Sequence, residues 1–83
     1  MKDSLLVEIE TMIATAIEEY TGHRPIEEEF SKPLKSFGLT SVQGMLLIGQ
    51  IEDQFNIDIH HDYLLGNDSL SAFAKGVYLE VKG

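Results

Sequence analysis

One apolar pattern limits what this chain can become. Leu5, Ile9, Met12, Ile13, Ala16, Ile17 and Tyr20 recur at three- and four-residue steps, the spacing of one face of an α-helix and not of a strand. Asp3 or Ser4 stands where an N-cap belongs and Gly22 where a helix stops, so a first helix is expected over about 4–20. Such a helix must bury its stripe against something. In a chain of 83 residues, the partner has to come from within one small domain.

Two further stretches can provide it. A second helix is expected over about 41–55, begun by Thr40 with Gln43 three residues on, the pattern of a capping box, and ended by Asn56. Its residues fall on two apolar faces: Leu47, Ile48, Ile51 and Phe55 on one, Val42, Met45, Leu46 and Gly49 roughly opposite. One face suffices for a core. The other is surplus to folding and reads as a docking surface. Asp68 or Ser69 caps a last helix, about 69–81, in which Leu70, Phe73, Ala74, Val77 and Val81 share a face. Between Ile59 and the Gly66-Asn67 turn, residues of about 60–65 suffice for one short helix.

The loop over about 21–40 has no periodicity. Pro25, Pro33 and Gly38 break helices, while Phe30, Leu34, Phe37 and Leu39 are too apolar for a free tail and read as pins into the core. Phe55 to Ile59 alternates briefly, but no stretch reads as a sheet. The expectation is one all-α domain: three main helices, one short helix and a long first loop, sufficient to bury one another as a monomer.

Charge narrows the partners. Fourteen acids against six bases give a formal net charge of −8, with eight of the acids in residues 1–30. That field repels nucleic-acid backbones and anionic lipid and favours basic protein partners. The chain has no cysteine, which removes disulfides, thiolate metal sites and cysteine nucleophiles. No apolar run reaches membrane-spanning length, and the start lacks a signal-peptide layout, so a cytoplasmic protein is expected.

Three serines then compete for attention. Gly66-Asn67-Asp68-Ser69-Leu70 and Asp3-Ser4-Leu5 carry an Asp-Ser-Leu triplet, whereas Gly38-Leu39-Thr40-Ser41-Val42 does not. Only Ser41 has a helix and a long loop behind it and, ahead, Glu52-Asp53-Gln54-Phe55-Asn56-Ile57-Asp58-Ile59. This layout resembles the acyl carrier and peptidyl carrier protein family, over nearly the whole chain. The family's modified serine opens its second helix, and that helix ends in Glu-x-x-Phe-x-x-x-Ile. The resemblance implies an acyl-carrier-like four-helix bundle with 4′-phosphopantetheine from coenzyme A attached to Ser41. It implies a free-standing, non-catalytic carrier that holds acyl or aminoacyl groups as thioesters. Its partners would be a phosphopantetheinyl transferase, the enzymes that load the cargo, and synthases or transferases that use it. Ser69 then falls at the start of the last helix, where an N-cap serine is ordinary.

The sequence departs from the family at Thr40, where the residue before the serine is usually aspartate, and at Gln43 and Leu46, where carriers of bacterial fatty acid synthesis often have acids. Those departures point to a specialised carrier, of polyketide, nonribosomal-peptide or related biosynthesis, recognised through Val42, Met45 and Gly49. The alternative is a carrier-like helical adaptor that is never modified. No base or phosphate loop marks an independent enzyme. His60-His61-Asp62 lacks the four-residue spacing that would bring two ligands onto one helical face, so no metal site is expected, and Glu27-Glu28-Glu29 reads as a solvated run.

Overall fold

The computed structural model describes residues 3–59 and 69–83. Three α-helices account for most of them: α1, Ser4–Thr21; α2, Ser41–Phe55; and α3, Leu70–Lys82. The short helix expected over 60–65, with His60, His61 and the Gly66-Asn67 turn, lies outside the described residues. No strand occurs among the described residues beyond one isolated bridge between Pro33 and Ser69. The chain has the all-α architecture implied by its resemblance.

Local chemistry explains the helix ends. Asp3 caps α1, its carboxylate accepting from the Leu5 N–H at 2.8 Å. Gly22 ends the helix in the left-handed region, φ 82°, which glycine adopts without a Cβ clash. Asn56 ends α2 in the same region, φ 54°; asparagine is among the few other residues that enter it readily. The Ser69 hydroxyl caps α3 by accepting from the Ala72 N–H at 3.0 Å.

The core is made by one face of each helix. Ile9, Ile13 and Ile17 of α1 meet Leu47, Ile48 and Ile51 of α2 and Leu70, Phe73, Ala74 and Val77 of α3, with Ile59 beside them. Each fully buried side chain of this size contributes about 1.5–3 kcal/mol relative to exposure. α1 packs chiefly along α3 and more lightly on α2. Leu34 and Phe37 of the long loop are buried in the same core, and Phe30 and Leu39 pack against it.

The loop is more ordered than its sequence suggests. It contains two 3₁₀ turns, Glu27–Glu29 and Leu34–Phe37, the second ended by Gly38 at φ 87°. Glu29 is a knot and not merely a solvated acid. Its carboxylate accepts from the Ile26 N–H at 3.0 Å, meets the His23 ring at 3.0 Å and lies 3.8 Å from Lys32. First the Ile26 N–H and then His23 hold its carboxyl below the usual carboxylate range. Glu10 also departs from a simple solvated surface: it is buried in α1 and has an interaction partner.

Candidate functional site

The start of α2 is built by four consecutive residues. Thr40, at φ −75° and ψ 165°, is still extended. Its hydroxyl accepts from the Gln43 N–H at 3.1 Å, and the Gln43 side-chain oxygen accepts from the Thr40 N–H at 3.0 Å. The Gly44 N–H reaches the Thr40 carbonyl at 2.9 Å, the first regular helical bond. The expected capping box is present. It satisfies the Gln43 donor of the first turn and the Thr40 N–H ahead of it, and the donors of Ser41 and Val42 have no partner among the described residues. Ser41 is exposed, and the first turn holds no acid.

Ser69 occupies the equivalent place at α3 and is treated differently. It is half-buried, and its hydroxyl is engaged with the Ala72 N–H. The next two donors are filled by the long loop: Leu70 N–H to the Lys32 carbonyl at 3.2 Å, and Ser71 N–H to the Phe30 carbonyl at 2.9 Å. α3 therefore begins sealed. α2 begins open. Ser69 and Leu70 of the literal Asp-Ser-Leu triplet sit at the sealed start. Ser4 is exposed as the first residue of α1, behind the Asp3 cap.

An open helix start offers an anion the partial positive charge of the helix dipole and free N–H groups. Beside it lies an apolar strip. Val42 is 63% exposed and Met45 and Leu46 each 53%, whereas Leu47 and Ile48 are 2% exposed and Ile51 is fully buried. Gly49 is half-buried, and a Cβ built there would meet open space. No charge occurs between Ser41 and Ile51. Even Glu52 faces inward chemically: its carboxylate accepts from the Ile59 N–H at 2.8 Å and ties down the chain after α2. Up to Ile51 the exposed face of α2 is thus neutral in a strongly acidic protein, with exposed Asp53 near the far end.

The other notable places are structural. Ile59, Phe73, Gly76, Val77 and Glu80 line a shallow surface groove. Asp3 accepts from the Tyr78 hydroxyl at 3.0 Å, joining the start of α1 to the end of α3. The Leu5 N–H first, then the Tyr78 hydroxyl, hold the Asp3 carboxyl low, and Asp3 in turn raises the Tyr78 hydroxyl. No cluster of acids and histidines able to hold a metal occurs among the described residues. No helix among them is long and apolar enough to cross a membrane.

A helical bundle with a hydroxyl held out at an open helix start, beside a neutral strip, has the build of a carrier domain. A family model described as phosphopantetheine attachment site matches residues 12–77, most of the chain and both Ser41 and Ser69. The chain belongs to this phosphopantetheine-binding family, and 4′-phosphopantetheine is its covalent cofactor. No curated protein and no solved structure matches it. As a family member it is a carrier that tethers intermediates through that group. Such domains are generally not catalysts and are modified by a separate transferase. The residues fit the group: an exposed serine hydroxyl is there to bond to phosphorus, and open N–H groups lie next to it for the phosphodiester charge.

Proposed function

We propose that Ser41 carries the phosphopantetheine arm, and that Val42, Met45 and Leu46 with Gly49 form the face on which partner enzymes dock. One observation carries the choice of serine. The α2 start leaves the hydroxyl exposed and two N–H groups open, while the α3 start uses Ser69 and the loop carbonyls to close its own. A permanent phosphodiester charge is favoured at the first and has neither hydroxyl nor donors to spare at the second. When attached, the arm supplies the thiol that this cysteine-free chain lacks and holds cargo as a thioester.

The neutral face suggests the partners. Carriers gripped through basic patches need acids along this helix, and none is present before Glu52 and Asp53 at its far end, Glu52 being already engaged. Partners that dock chiefly by apolar contact fit better, as expected of a polyketide, nonribosomal-peptide or related dedicated pathway.

Incubation with coenzyme A and a broad-specificity phosphopantetheinyl transferase should add one arm, and peptide mass mapping should find it on Ser41. Ser41→Ala should abolish the label. Met45→Glu should raise the transferase KM and leave the fold intact, whereas Leu47→Glu or Ile51→Glu should unfold the domain by burying an unpaired charge. Label on Ser69 would overturn the choice of serine. No label with this enzyme or with transferases of the source organism would favour the unmodified adaptor.

A further inference from the structure

We propose that Gln43 is a positioning residue for the transfer to Ser41: by bonding back to the Thr40 N–H it fixes the turn that presents the serine hydroxyl. The inference rests on Ser41 being the modified serine. The transfer itself is a substitution at phosphorus. The Ser41 oxygen forms a new bond to the pantetheine-bearing phosphorus of coenzyme A, and the phosphoanhydride bond breaks. Adenosine 3′,5′-bisphosphate leaves with the electron pair, and the hydroxyl proton passes to a base of the transferase. Beyond the docking face, what this chain brings to the step is the placement of that oxygen.

That placement is not secured by packing. Thr40, Ser41 and Val42 are all exposed, so none of them is held by burial in the core. Gly38, three residues before Ser41, turns the chain in the left-handed region at φ 87° and has no side chain to anchor it. Two glycines interrupt α2 itself, Gly44 and Gly49, and each weakens a helix interior relative to alanine. Half-buried Leu39 is one hold on the segment. The reciprocal pair of Thr40 and Gln43 is another, at 3.1 and 3.0 Å.

The two halves of that pair do different things. The Thr40 hydroxyl satisfies a donor inside the helix, which keeps the first turn wound. The Gln43 side chain reaches outward to the N–H of Thr40, which lies ahead of the helix. It therefore sets the direction in which the chain enters Ser41. Losing it leaves α2 helical but loosens the entry. Reaction rates respond steeply to such looseness, because a bound hydroxyl must lie in line with the phosphoanhydride to react.

Gln43→Ala and Gln43→Glu test this in the full chain, with transferase kinetics and amide hydrogen exchange read together. The alanine variant should label with kcat lowered about fivefold and KM changed by less than about twofold, a loss on the scale of one missing cap. Its Thr40 amide should exchange faster. Glutamate keeps an acceptor for the same N–H and should restore both kcat and Thr40 protection. An unchanged kcat despite faster Thr40 exchange would overturn the positioning role. So would an effect confined to KM, which would make Gln43 a docking contact, or restored protection in Gln43→Glu without restored kcat. If the unsubstituted chain carried no label on Ser41, the attachment reading would fall and this one with it. Label on Ser41 with an unmoved kcat would remove this one alone.

Discussion

α2 and α3 start in the same manner and end up in different conditions. Each has a hydroxyl residue at its N-cap, Thr40 or Ser69, bonded to the N–H three positions on. At α3 the chain arriving from the long loop lies across the helix start and fills the two donors that remain. At α2 nothing does. The difference teaches that a cap is only half of a helix start. What becomes of the other donors decides whether the place is a structural joint or a chemical opening.

Charge placed at each start is the harshest way to break the comparison. Leu70→Glu, at the fully buried first residue of α3, should cost several kcal/mol and unfold a domain this small. Val42→Glu, at the second residue of α2, should change stability by no more than about 0.5 kcal/mol, because the side chain is exposed and an acid suits a helix N-terminus. Urea unfolding of both variants measures this. Equal losses would mean that the α2 start is not open.

A milder contrast follows from the serines. Ser69→Ala removes a cap and should cost about 1 kcal/mol, whereas Ser41→Ala should cost only a few tenths, Thr40 being the cap there. Thermal melts of the unmodified chain separate them. Gly49→Ala should raise stability by about 0.5–1 kcal/mol, since a Cβ there meets open space inside a helix. If the same substitution weakens partner docking, Gly49 is a point of close approach on the neutral face; unaltered docking would remove it from that face.

The smallest effect concerns acid. Asp3 has its pKa lowered by the Leu5 N–H and then by the Tyr78 hydroxyl, so its contribution is present above the usual carboxylate pKa and is lost as pH falls through the lower folded value. Tyr78→Phe should bring that loss to a slightly higher pH in urea titrations between about pH 5 and 2. Asp3 is exposed and Tyr78 only half-buried, so the shift will be small. The starts of α2 and α3, which lack this carboxylate, should show no matching step.

How much of this could be read in the residues depended on distance along the chain. The capping box at Thr40 and Gln43, the stops at Gly22 and Asn56 and the two faces of α2 are local patterns, repeated every few residues, and the structure has them where the spacing predicts. Asp3 and Ser4 were equivalent as caps by type, and only geometry chooses Asp3. The seal on α3 had no signature at all. It is made by the carbonyls of Phe30 and Lys32, which any residue could offer. The bonds of Glu52 to Ile59 and of Asp3 to Tyr78 were equally hidden, the second spanning 75 positions. An acid in a sequence looks solvated until the fold brings it a donor.

The Asp3–Tyr78 bond also has a consequence for how such a domain is joined to others. It holds the first residues of α1 within side-chain reach of the last turn of α3, where Lys82 lies 5.8 Å above the Tyr78 ring. Polypeptide grafted ahead of Asp3 and behind Gly83 would therefore depart from one corner. A host protein accepting the whole unit in a surface loop would need connectors that span the reach of that side-chain bridge and the final turn of α3, and not the length of the bundle.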